Sequence, residues 1–135
     1  MTAPVAAMLR AKAGIVAARY GRTPSIGWFS LDAEHPLLQL HRAAGGATCG
    51  VRDGHLLLVR AGVESDLGPI ARMPLTVEGR ASYNVANLAG AALAALALGV
   101  EPATIAAVFA SFGADPADNA GRMMRFDFDG ARVLL

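Results

Sequence analysis

With 135 residues, the chain has the length of a single domain. Hydrophobic residues make up 54% of the sequence and charged residues 17%, a balance that excludes an intrinsically disordered protein. The formal net charge of +1 comes from 12 basic and 11 acidic residues without any block of like charge, so we predict no nucleic-acid binding and no binding to an anionic membrane.

The N-terminal part of the chain predicts two helices and one strand. Residues 3–21 have helical spacing, with Pro4 suited to a first turn. Residues 25–30, of sequence SIGWFS, are apolar and aromatic, which predicts a short buried strand. Residues 34–46 predict a second helix, because their apolar spacing is helical and they end at a pair of glycines.

Two hairpins are predicted from their turn dipeptides. Residues 47–62 consist of two strand-like runs joined through Asp53-Gly54. The C-terminal tail has the same pattern around Asp129-Gly130. Each Asp-Gly pair tolerates the left-handed backbone that a tight hairpin turn requires.

The segment between the hairpins predicts a loop, a short strand and two helices. Residues 63–79 predict a loop that includes a short turn and a strand around Leu75–Val77. Helices are predicted over Asn84–Leu98 and Pro102–Phe112, and Gly99 is the natural stop between them. Together the elements predict an α/β fold, with helices packed on a mixed sheet that contains β-hairpins.

The sequence also indicates a cytoplasmic protein. Its opening residues lack the basic and apolar segments of a secretory signal. The longest apolar run, Val85–Val100, is too short to predict a membrane span. Cys49 is the single cysteine and has no partner for an internal disulfide, which fits a reducing compartment.

Few groups in the sequence suit catalysis. The phosphate-binding pattern G-x-x-x-x-G-K-[ST] is absent, and Lys12 is the only lysine. The histidines, His35, His41 and His55, are dispersed, so surface or capping roles are expected for them rather than metal binding. We therefore predict no catalytic residue and no metal site.

Two asparagines, Asn84 and Asn87, stand at the start of an otherwise small and apolar helix. One interpretation is capping, with Ser82 or Asn84 accepting an unpaired backbone N–H group. Capping explains one amide and leaves the second unexplained. The other interpretation is a nucleotide site, because an amide carries the donor and the acceptor that complement the edge of adenine.

An ordered series of motifs runs from residue 74 to residue 126. The residues concerned are Pro74-Leu75, Gly79, Asn84, Asn87, Gly99-Val100, Ile105, Phe112 and Asn119-Ala120-Gly121-Arg122. In this order they resemble the end of the central ATP-binding domain in the Mur ligase family, most closely in its cyanophycin synthetases. Residues 27–59 are similar to the segment that precedes these motifs in the cyanophycin synthetases.

This resemblance implies an activity and a site. Asn87 would contact adenine, Asn84 would support the same pocket, and Arg122 would reach the nucleotide from the junction with the next domain. Enzymes of the family use ATP and magnesium to phosphorylate a carboxylate, and an amine then attacks the acyl phosphate to form an amide bond. The implied substrates are amino acids or peptides.

The chain also departs from the family pattern. Tyr83 replaces the usual histidine, and Ala120 replaces the usual proline. The family's phosphate loop, magnesium ligands and modified lysine precede the matching region, so we expect a fragment that is inactive alone and that binds part of the nucleotide or none. Residues 1–121 would be the C-terminal part of the central domain, and residues 122–135 the opening hairpin of a truncated C-terminal domain.

The sequence leaves two alternatives open. The chain could be a non-catalytic truncated module that binds a partner or itself, as a homo-oligomer, through exposed strands. The similarity could also reflect only the alanine-rich composition of the helices, in which case Asn84, Asn87 and Arg122 would form no nucleotide site.

Overall fold

The computed structural model describes residues 25–115 and 125–134, together with residues 11, 14–19, 21 and 118. Residues 14–19 are helical, in agreement with the helix predicted over residues 3–21. The rest of that predicted helix lies outside the described residues.

A four-stranded mixed sheet is the centre of the described fold. Its strands stand in the order β1-β2-β3-β4, with β1 parallel to β2 and the other neighbours antiparallel. The strands are β1 (Gly27–Ser30), β2 (Ala47–Arg52), β3 (His55–Arg60) and β4 (Val63–Pro69).

Between residues 25 and 115, three helices accompany the sheet, and their bounds agree with the sequence patterns. They are α1 (Pro36–Ala43), α2 (Ser82–Ala97) and α3 (Pro102–Ser111). A proline opens both α1 and α3, as its fixed φ favours. Gly99 follows α2 with a φ of +84°, which confirms its role as the stop between the last two helices.

The helices cover both faces of the sheet. Trp28 of β1 packs with Leu38 of α1, whereas its neighbour Gly27 faces Leu93 of α2. Successive residues of a strand point to opposite faces, so α1 lies on one face and α2 on the other. The larger apolar cluster lies on the α2 side, and its central members include Cys49, Leu56, Leu58, Ala89, Ala92 and Ile105.

Both predicted hairpins are confirmed. Asp53 and Gly54 have φ values of +52° and +75°, and they join β2 to β3 with Arg52 opposite His55. The second hairpin forms a two-stranded sheet of its own, from β5 (Arg125–Phe128) and β6 (Ala131–Leu134).

Two predictions between residues 25 and 79 are wrong in part. The strand expected around Leu75–Val77 is a 3-10 turn over Pro74–Thr76, followed by left-handed backbone at Val77. The strand of this segment is β4, which precedes the turn. Its residues are mostly polar and give no apolar strand pattern, which is compatible with its pairing with β3 at the edge of the described sheet. Likewise β1 stands at the edge of the sheet that the described residues form: Trp28 is buried, but Phe29 is 43% exposed.

Candidate functional site

The candidate site lies at the start of α2, where both asparagines stand. Ala81 occupies the N-cap position and provides no side-chain hydrogen bond. Neither Ser82 nor Asn84 caps the helix, so the capping interpretation of this pair is wrong. Asn84 instead occupies the third helical position, from which its side chain reaches back to the preceding turn.

Asn84 ties the helix to the 3-10 turn before it. Its Nδ2 donates to the backbone carbonyl oxygen of Leu75 at 2.7 Å, and the side chain is half-buried. The Leu75 carbonyl lies in a tight turn and has no helical N–H donor. The Asn84 amide supplies the donor, and so avoids the free-energy cost of a buried carbonyl without a hydrogen bond. Asn84 therefore fixes where α2 starts relative to the turn.

Asn87 lies one turn further along α2 and is exposed. No hydrogen bond of its side chain is found within the described part of the chain. Along the helix, Leu93 faces Gly27 and Gly90 faces Phe29, so α2 runs antiparallel to β1. Three residues along α2 thus correspond to two residues along β1. Asn87, three residues before Gly90, therefore lies level with residue 31, directly after the carboxyl end of β1. Ligands of open α/β sheets bind at the carboxyl ends of their strands.

The third residue implied by the resemblance, Arg122, lies outside the described residues. The structure therefore brings Asn84 and Asn87 onto one end of α2, and the role of Arg122 stays a prediction. Tyr83, beside Asn84, is 60% exposed at the second helical position. Its ring belongs to the same end of the helix as the two amides.

Thr76 is a residue of this region that the sequence analysis missed. Its side chain is fully buried, and its hydroxyl lies 2.5 Å from the carbonyl oxygen of Ile70 and 2.8 Å from that of Met73. The same hydroxyl accepts the backbone N–H of Gly79 at 2.9 Å. A threonine in a loop carries no signal of this role, because the bonds depend on how the loop folds back on itself.

Two grooves open on the surface near α2, and neither includes the asparagines. One, of about 360 Å³, lies between the edge strand β1 and α2, with Phe29 and Gly90 in its lining. The other, of about 340 Å³, lies where the β3–β4 turn meets the α2–α3 turn, and it includes Val63 and Glu101. The amide pair is thus a surface feature of the described chain rather than the lining of either groove.

The histidines have structural partners. His35 accepts the backbone N–H of Leu37 on its Nδ1 atom and so caps α1, as the capping interpretation expects. His41 stacks on Trp28, and His55 pairs with Asp66 at 2.8 Å. Within the described residues, no three His, Cys, Asp or Glu side chains cluster as a metal site would require.

Cys49 offers no nucleophile at neutral pH. Its side chain is fully buried in the α2-side cluster, and burial raises the pKa of its thiol to about 12. The backbone hydrogen bond with Gly50 and the positive charge of Arg42 oppose this shift without cancelling it. Separately, no helix among the described residues is long and apolar enough to span a bilayer.

Comparison with known proteins relates the chain to one group of enzymes. It is 30% identical over 130 residues to a cyanophycin synthetase of Nostoc sp. (strain PCC 7120), and 29% identical over 130 residues to that of Trichormus variabilis. A cyanophycin synthetase of Synechocystis sp. is 25% identical over 130 residues. Each of these matches covers 96% of the chain but only 14% to 15% of the relative. No family model matches the chain.

Proposed function

We propose that the chain is part of an ATP-dependent amide ligase and supplies one side of its adenine pocket. The observation that carries this proposal is the similarity to cyanophycin synthetases over 96% of the chain. In the proposed assignment the residues correspond to the end of a Mur-ligase-type central domain, up to residue 121, and to the first hairpin of the following domain. The parent enzyme would act in the cytoplasm on amino acids or peptides.

The amide pair supports an adenine site by its chemistry and its position. Asn87 has an exposed side chain that can donate to N7 of adenine and accept from the exocyclic amine. Asn84 would hold the helix in place through its bond to the Leu75 carbonyl. Arg122 would reach the nucleotide from the following hairpin.

The phosphate end of the nucleotide would be held elsewhere in the parent enzyme. The sequence contains no G-x-x-x-x-G-K-[ST] pattern, and Lys12 is its only lysine. Magnesium would accompany the phosphates of ATP, where it neutralises the charge that develops in phosphoryl transfer. The chain alone would therefore bind adenine nucleotides weakly and carry out no ligation.

A titration of the 135-residue chain with ATP and magnesium, followed by NMR, tests the proposal. The sequence has three asparagines and one glutamine, so four side-chain amides report individually. We expect shifts at both Asn84 and Asn87. The shift at Asn84 should disappear in an Asn87→Ala variant and persist in a Gln39→Ala variant, which removes an amide from α1. GTP in place of ATP should give smaller shifts. An absence of shifts at millimolar ATP would refute the adenine site.

A second candidate function is self-association as a non-catalytic module. The position of β1 at the edge of the described sheet favours it, because Phe29 is 43% exposed there, beside a groove along α2. Pairing with a second copy would cover this edge. Sedimentation should then give a defined dimer that Phe29→Glu dissociates. Leu40→Glu, at a 61% exposed position on α1, is the matched control and should leave the dimer intact.

A further inference from the structure

The loop between β4 and α2 is organised around the buried side chain of Thr76. Its hydroxyl is within hydrogen-bond distance of the carbonyl oxygens of Ile70 and Met73, and it accepts the N–H of Gly79. Its backbone carbonyl accepts the N–H of Ala81, the N-cap residue of α2, at 2.8 Å. One residue thus joins both ends of the loop to the start of the helix.

The backbone that Thr76 holds in place is strained. Val77 and Glu78 have φ values of +52° and +60°, and neither is a glycine. A β-branched residue such as Val77 is a genuine outlier in this left-handed region, because its Cβ approaches the following carbonyl oxygen. Such conformations persist only where surrounding bonds enforce them, and they concentrate near functional sites.

Leu75, two residues before this strained segment, is the partner of Asn84. The Leu75 carbonyl that accepts the Asn84 amide belongs to the same 3-10 turn as Thr76. The position of this carbonyl therefore depends on the bonds of the Thr76 hydroxyl, and the orientation of Asn84 depends on the carbonyl. Asn87 follows on the next turn of the same helix.

We propose that Thr76 is the positioning residue of the amide pair, Asn84 and Asn87. Its buried hydroxyl sets the position of the Leu75 carbonyl, which orients Asn84 and the first turns of α2. The first turns of α2 then present Asn87 to an adenine base. The relation to adenine rests on the proposed function above. Thr76 itself touches no nucleotide, because its side chain is fully buried. The left-handed Val77 and Glu78 are the conformational consequence of closing the loop this tightly.

Two substitutions at Thr76 separate the hydroxyl from the rest of the side chain. Thr76→Val keeps the volume and removes the hydroxyl, and Thr76→Ser keeps the hydroxyl. The first readout is hydrogen exchange of the Asn84 side-chain amide without nucleotide. We expect Thr76→Val to accelerate this exchange about tenfold or more, because the Asn84 amide loses the protection of its bond to the Leu75 carbonyl. Thr76→Ser should retain slow exchange. Equal exchange in Thr76→Val and the unmodified chain would overturn the proposal.

The second readout is the dissociation constant for ATP with magnesium. Thr76→Val should weaken binding about tenfold, which corresponds to about 1.4 kcal/mol, and Thr76→Ser should restore it. If the unmodified chain binds no ATP while Thr76→Val still releases the Asn84 amide, the adenine site is refuted and the positioning role of Thr76 stands. If ATP binds equally to both chains, the positioning role is refuted and the adenine site stands.

Val77→Gly keeps the inference testable if Thr76→Val fails to fold. Glycine adopts a positive φ without a steric penalty, so this variant removes the strain at residue 77 and leaves the Thr76 hydroxyl in place. We expect Val77→Gly to fold with an unchanged or higher midpoint of thermal unfolding and to retain slow exchange of the Asn84 amide, because the Thr76 hydroxyl still sets the Leu75 carbonyl. Faster exchange of the Asn84 amide in Val77→Gly would show that the left-handed backbone, rather than the Thr76 hydroxyl, holds the amide, and that result would contradict the proposal.

Discussion

The imidazole ring of His41 stacks on the indole of Trp28, with ring centroids 4.7 Å apart and planes within 6° of parallel. His41 also donates from Nε2 to the backbone carbonyl oxygen of Ile26 at 2.9 Å. These contacts attach the end of α1 to the edge strand β1. Gly46 leaves room for the imidazole ring, because a Cβ atom at this position would lie 2.1 Å from Nε2 of His41.

Substitution of Gly46 by alanine should therefore break this attachment. The added methyl group must displace the His41 ring, and overpacking of this kind costs about 1–3 kcal/mol. Chemical denaturation followed by the fluorescence of Trp28, the only tryptophan, measures both the loss of stability and the change in the stack. Gly14→Ala is the control, because its added methyl group would have no atom within 4 Å and residue 14 is helical. Equal stabilities of the two variants would contradict the role of Gly46.

The two asparagines should differ in their effect on folding stability. Asn84→Ala leaves the carbonyl of Leu75 without its amide donor and should lower the free energy of unfolding by about 1–2 kcal/mol. Asn87→Ala removes an exposed side chain and should change it by less than about 0.5 kcal/mol. Urea unfolding of both variants measures the difference. A larger loss in Asn87→Ala would mean that this amide supports the fold rather than a ligand.

Cys49 should make the fold sensitive to alkali. Its thiol has a pKa raised by burial from 9.0 to about 12, so the folded chain keeps a proton that the unfolded chain loses above pH 9. The stability that this proton contributes is complete below pH 9 and is lost as the pH rises towards 12, by about 1.4 kcal/mol per pH unit. The difference in unfolding free energy between the unmodified chain and Cys49→Ala should shrink over this range. A constant difference would contradict the raised pKa.

The same burial predicts that Cys49 resists alkylation. A thiolate is the reactive form, and the rise of the thiol pKa from 9.0 to about 12 lowers the thiolate fraction about a thousandfold. Modification by iodoacetamide at pH 8 should therefore require unfolding, and its rate should rise with urea in parallel with the unfolded fraction. Rapid modification of the native chain would show that the thiol is accessible.

Asp66 should contribute the opposite pH dependence. The backbone N–H of Gly68 donates to its carboxylate at 2.7 Å and, together with His55, lowers the pKa of this group below its ordinary value of 3.8. The resulting stability is present above pH 3.8 and is lost as the pH falls through the lower folded value. Asp66→Asn should flatten this acid dependence, measured by thermal unfolding between pH 3 and 6. His55→Gln should flatten it less, because the Gly68 bond is the larger cause.

The sequence by itself determined the elements whose signals are local. Residue spacing located α2 and α3 to within two residues at either end, because helical periodicity is set by neighbouring residues. The Asp-Gly dipeptides located both hairpin turns for the same reason. The ordered motifs also pointed to the cyanophycin synthetases, to which the chain is similar over 96% of its length.

Only the tertiary structure decided how the chain uses those elements. The polar strand β4 forms because β3 pairs with it. The residues of β4 carry no local pattern that predicts this pairing. Leu75–Val77 has the composition of a strand but turns, because the buried hydroxyl of Thr76 closes the loop on itself. The two amides look alike in sequence, yet Asn84 is bound and Asn87 is exposed. That difference depends on where the loop places one carbonyl group, nine residues before Asn84.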